Sequence, residues 1–177
     1  MESLEHFLEP YIGAPYSWCL NSEKGIRSPL WKTEPIPTPK EVHAEGICCV
    51  GLLNLVRLWD GQSTFADVKH LLWEVSSKLN QITIELPFGA LLVRFPHDAV
   101  DQGHCAIVWK DQQLLHCYVD DPEPKPGLYR PGICLDPSWK TSHLLKKEGY
   151  YDAYVRLEDW LPHPCRCLRG QHSCAPK

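Results

Sequence analysis

A strongly apolar stretch follows Cys49. Leu52, Leu53, Leu55, Val56, Leu58 and Trp59 cover almost the whole circumference of a helix, so residues 49–59 read as a helix buried on most sides. Asp60-Gly61 supplies its stop. A second helix is expected over 65–79. Val68, Leu71, Leu72, Val75 and Leu79 form one stripe there, and Thr64 with Asp67 resembles a capping box. A short helix is expected within 3–12, with Leu4, Phe7 and Leu8 on one face.

The pattern then changes to short apolar runs. Strands are expected at 82–85, 90–95, 105–109, 113–118 and 153–157, with Lys110-Asp111 as a hairpin turn between two of them. Prolines 29, 35, 37 and 39 make 28–40 an extended loop, and 121–138, rich in Pro and Gly, reads as another. Helices first and strands later predict an α+β domain, with an antiparallel sheet packed against the helix that begins at Cys49. Residues 1–160 are expected to form one domain, and 161–177 a flexible, cysteine-rich tail.

Composition narrows the function. The 177 residues are 44% hydrophobic and 23% charged, which suits one well-cored domain. A net charge of −4 argues against a nucleic-acid partner, which calls for a basic surface. No apolar run approaches the roughly 18–20 residues that span a bilayer. The acidic start lacks a signal-peptide core, so an intracellular, cytoplasmic setting is expected unless export takes a non-standard route. In that setting the nine cysteines are expected to be kept reduced, buried or functional rather than to form a disulfide framework, and Cys48, Cys105, Cys117 and Cys134 read as small buried hydrophobes. Oligomeric state is not legible.

Three residues stand out chemically: Cys49, His104 and His116. A thiol attacks as its thiolate, which a helix N-terminus and a nearby imidazole both favour. If the strands around 110–111 pair as a hairpin, positions 104 and 116 or 117 come together. His104 is then placed as the base and His116 as the group that orients it. The alternative is a core thiol with two incidental histidines.

The neighbouring motifs resemble the NlpC-type papain-like cysteine peptidases. Tyr11-Ile12-Gly13-Ala14-Pro15-Tyr16-Ser17-Trp18 is similar to that family's Gly-x-Pro-Tyr-x-Trp-Gly segment, and Asn21-Ser22-Glu23-Lys24-Gly25-Ile26 is similar to the residues next in that pattern. Gly46-Ile47-Cys48-Cys49-Val50-Gly51 resembles Gly-Ile-Asp-Cys-Ser-Gly, Pro87-Phe88-Gly89-Ala90-Leu91-Leu92 a Pro-Gly-Asp-Leu strand start, Gly103-His104-Cys105-Ala106-Ile107-Val108 the base-bearing strand, and Leu115-His116-Cys117 the strand of the third polar residue. The resemblance runs from about residue 8 to about residue 157. It implies a papain-like fold, with N-terminal helices on a central antiparallel sheet. It also implies a Cys49–His104–His116 triad, with Tyr16 lining the site and sharing the oxyanion with the Cys49 amide.

The implied activity is hydrolysis of a peptide or other amide bond, with a cell-wall peptide as the substrate class the family suggests and no cofactor. The chain departs from the family pattern in Cys48, in Val50, in Cys19-Leu20 after the tryptophan, and in an insertion near 27–45 expected over the cleft. These departures leave open a silent or redirected binding module on the same fold, or an acyltransferase or thioesterase.

Two other groups carry candidate chemistry. Cys165, Cys167, His172 and Cys174 are zinc-competent types, but Cys-x-Cys is not the usual zinc knuckle. Asp120, Asp121 and Glu123 read as a solvated acidic loop.

Overall fold

The computed structural model describes residues 3–16, 35–83, 85–96, 103–118, 132–136 and 151–161. The tail from 162, the acidic loop and the whole 17–34 segment that carries Trp18 and Cys19 lie outside the described residues. The architecture is α+β. A five-stranded antiparallel sheet has the order β4-β3-β2-β1-β5, with β1 at Leu91–Arg94, β2 at His104–Val108, β3 at Leu114–Tyr118, β4 at Gly132–Asp136 and β5 at Ala153–Val155.

The helices are α1 (Leu4–Leu8), α2 (Pro39–Glu45), α3 (Cys49–Trp59), α4 (Val68–Val75) and α5 (Leu157–Trp160). α3 packs on β2 and β3, and the main core lies between them. Cys105, Ile107, Leu115, Cys117 and Ile133 face that core, whereas Ala106, Val108 and Leu114 face a smaller cluster on the opposite side with Leu92 and Tyr154. The strand period of two therefore splits β2 and β3 between two apolar clusters.

α3 starts and stops where the apolar pattern requires. Its buried polar residues tie it to the loop at its C-terminal end. The Asn54 side chain takes the Phe65 amide at 2.7 Å and donates to the Phe65 carbonyl at 3.1 Å. Arg57 pairs with Glu74 at 2.7 Å and lies 4.3 Å over the Phe65 ring, so its buried charge is compensated.

Five expectations are corrected. Pro39 does not continue a loop but opens α2. Thr38 caps that helix in a reciprocal box with Glu41, and proline at the first helical position loses no hydrogen bond. This part of the insertion packs by Val42 into the core, and His43 Nε2 lies 3.1 Å from the Pro10 carbonyl. The second helix begins at Val68, later than expected, because Asp67 is itself the cap, accepting the His70 amide at 2.8 Å. It ends in a 3-10 turn, Ser76–Lys78. The described residues of 82–85 form no strand, and Thr83 bonds locally to the Glu85 carbonyl instead. Leu157 belongs to α5 and not to β5. Finally, the second expected loop contains β4, paired along β3 from Leu114↔Asp136 to Tyr118↔Gly132.

Candidate functional site

Cys49 is the first residue of α3, and Cys48 is its N-cap, in extended conformation. No acidic side chain occupies the first turn, so nothing there opposes the positive end of the helix dipole. The Cys48 sulfur accepts the Gly51 amide at 3.3 Å, a bond that an aspartate at this position would make with oxygen. Cys48 is disulfide-bonded, which corrects the expectation of a reduced thiol. Cys49, Cys105 and Cys117 carry thiols. The Cys117 thiol donates to the Ile47 carbonyl at 3.1 Å and pins β3 to the turn that delivers Cys49.

β2 brings the other half of the site. It pairs with β3 as Ala106↔His116, Ile107↔Leu115 and Val108↔Leu114. His104 and His116 are therefore diagonal neighbours on one face, and their Nε2 and Nδ1 atoms stand 3.3 Å apart. The Lys110–Gln112 turn closes this hairpin as a 3-10 turn, with Asp111 at φ 52 and Gln112 at φ 62.

His104 turns Nε2 to His116, so Nδ1 is the ring nitrogen with which it would act on Cys49. The Cys49 sulfur is partly exposed, and Cys105 and His104 both act on its ionisation. The Cys105 bond is the foremost of these in holding the Cys49 thiol well below its ordinary pKa. The His104 bond and charge act in the same sense, against burial. Cys105 is pushed up, first by donating to Cys49 and then by burial. Both shifts favour the charge on Cys49.

Tyr16 reaches the same place through backbone pairing. It bridges Ile47, whose amide donates to the Pro15 carbonyl at 2.9 Å, and Pro15 bridges Gly132 of β4. Burial, then the charges of Cys49, Cys117 and Cys105, raises the Tyr16 pKa, so its hydroxyl stays protonated and able to donate. The structure thus brings Cys49, His104, His116 and Tyr16 together. Cys165, Cys167, His172 and Cys174 lie outside the described residues.

Sequence reasoning misses three residues. Asp136 on β4 places Oδ2 3.4 Å from His116 Nε2, at ion-pair distance and long for a hydrogen bond. Its charge favours a proton on Nε2 of His116 and leaves Nδ1 to accept from His104. Cys105 reads in the sequence only as core. Tyr151 lies across from His104, with ring centres 6.3 Å apart, and its hydroxyl is buried without a hydrogen-bond partner among the described residues. The signal for Asp136 is present in the chain, since Ile133 and Leu135 alternate with Cys134 and Asp136 as a strand requires.

Compared with models of known protein families the chain matches none, and no curated protein matches it.

Proposed function

We propose that the protein is a papain-like thiol hydrolase that cleaves an amide bond through Cys49. One observation carries this reading: a partly exposed cysteine at the start of α3 whose ionisation His104 favours, with His104 in turn meeting His116 at 3.3 Å. A core cysteine needs no imidazole and no relay behind it. The ordered motifs that resemble NlpC-type peptidases support a peptide substrate, with D-amino-acid cell-wall peptides as the first class to test.

In the resting pair, Cys49 is the thiolate and His104 the imidazolium, with His116 accepting from His104 and facing Asp136 on its far side. The sulfur attacks the carbonyl carbon. The oxyanion takes bonds from the Cys49 amide, which as a first-turn N–H has no intrahelical acceptor, and from the Tyr16 hydroxyl. His104 gives its proton to the leaving nitrogen, and a thioester remains on Cys49. His104 then takes a proton from water, which attacks the thioester and releases the acid and the thiolate. An amine or hydroxyl acceptor in place of water would make the same chemistry acyl transfer.

The test is hydrolysis of a panel of L- and D-configured peptides read by mass spectrometry. The parent chain is expected to cleave at least one class. Cys49→Ala should abolish the cleavage, and His104→Ala should lower it by about a thousandfold or more. Equal cleavage by Cys49→Ala sinks the reading.

A further inference from the structure

Behind the two histidines, β3 and β4 assemble a set of donors that the proposed reaction does not use as ligands. Cys134 pairs directly with His116 across the ladder, and Asp136 lies two residues further along β4 on the same face. One ligand atom each from His116, Cys134 and Asp136 lies within 4.8 Å of the other two. His116 and Asp136 are buried and Cys134 is partly exposed, so the thiol is the side from which an ion would arrive.

Ligand atoms around one tetrahedral zinc stand about 3.3–3.7 Å apart, given metal–ligand bonds of about 2.0–2.3 Å. The separation of 3.4 Å between His116 Nε2 and Asp136 Oδ2 already meets this. The widest separation in the set, at most 4.8 Å, has to close by roughly 1 Å, which is within reach of a side-chain rotation. An imidazole, a thiolate and a carboxylate suit zinc and its transition-metal neighbours. The thiolate disfavours magnesium and calcium, which take oxygen ligands. Three protein ligands leave a fourth position for water.

The geometry points to a zinc-type regulatory site formed by His116, Cys134 and Asp136, whose occupancy withdraws His116 from His104. A metal on Nε2 of a neutral imidazole leaves the ring's one proton on Nδ1. Nδ1 then donates to His104 Nε2, where it would otherwise accept. His104 must offer a lone pair at that nitrogen and loses the acceptor that orients its ring toward Cys49. The ion therefore inhibits without touching the sulfur. The inhibitory half rests on the proposed hydrolase reading, whereas the binding half does not.

The experiment separates the two. Binding is measured on chelator-treated Cys49→Ala protein, in which the candidate nucleophile cannot bind metal. Titration with Co2+ is expected to give one equivalent more, with a thiolate-to-cobalt absorption band displaced by Zn2+, than the Cys49→Ala/Cys134→Ala protein. The isosteric Cys49→Ala/Asp136→Asn protein should bind that equivalent at least tenfold more weakly. Identical titrations of Cys49→Ala and Cys49→Ala/Cys134→Ala overturn the site. With Cys49 intact, Zn2+ should slow peptide-resolved alkylation of Cys49 at least tenfold, and Cys134→Ala should remove the slowing. Slowing that survives Cys134→Ala overturns the inhibitory role, because the metal is then acting on Cys49 itself. Metal-free alkylation that does not depend on His104 contradicts the hydrolase reading instead.

Discussion

At the scale of the residue, the site turns on which of two neighbouring thiols carries the charge. Cys49 has a helix start, an imidazole and the Cys105 amide, while Cys105 is buried and serves as donor. Because the Cys49 pKa is depressed, its thiolate persists as pH falls below the ordinary thiol range near about 8.5 and is lost only at lower pH. Alkylation of Cys49 measured against pH should therefore show its acid limb below that range. Cys105→Ala and His104→Ala should each move the limb upward, by about tenfold in rate per pH unit moved at a fixed acid pH. Cys105→Ser keeps a donor and should largely restore it. A Cys49 limb at the ordinary thiol value, unmoved by either alanine, contradicts the assignment. Tyr16 acts at another moment, when the oxyanion forms. Tyr16→Phe is expected to lower kcat by about ten- to a thousandfold, with the alkylation profile of Cys49 unchanged. An unchanged kcat would remove Tyr16 from the mechanism.

At the scale of the element, β4 organises more of the site than its length implies. It supplies Cys134 and Asp136, and at its start it holds the segment that carries Tyr16. Gly13 donates to the Ile133 carbonyl at 2.8 Å, and Ile133 donates to the Ala14 carbonyl at 2.8 Å. Gly132 sits at φ 140, and a Cβ there would collide with the Ala14 carbonyl oxygen. Gly132→Ala should push the 14–16 segment away. The strain should cost about 1–3 kcal/mol of stability, read by denaturant unfolding. Turnover should fall while Cys49 alkylation stays near normal. Unaltered stability and turnover would show that the clasp does not position Tyr16.

The same strand shows what the chain conceals. α3 is legible because its apolar residues nearly encircle it. β2 and β3 are legible because short apolar runs flank a turn. β4 is not, because Pro and Gly around it outweigh a brief alternation of Ile133 and Leu135 with Cys134 and Asp136. α2 is hidden by the same bias, since Pro39 marks a helix start as readily as a loop.

At the scale of the whole molecule, the sheet keeps two kinds of work apart. One face of β2 and β3 packs against α3 and supplies the main core, and the other carries His104 and His116 beside a smaller apolar cluster. The start of α3 is where the two meet, because Cys49 is reached both by His104 and by Cys105, consecutive residues that point to opposite faces of β2. The α+β class is readable from helices preceding strands. The meeting of Cys49 with both residues is not, because it depends on where α3 begins relative to β2, which no local pattern records. Among the described residues no helix is long and apolar enough to cross a membrane.

Whether Cys49 forms an acyl-enzyme with the help of His104 can be read by exposing the protein to an activated peptide ester and weighing it intact at short times. The expected result is an acyl increment on Cys49 that forms rapidly, decays in water, and is absent in Cys49→Ala and strongly slowed in His104→Ala. An increment that appears equally in Cys49→Ala, or none in the parent chain, would contradict the assignment of Cys49 as the nucleophile.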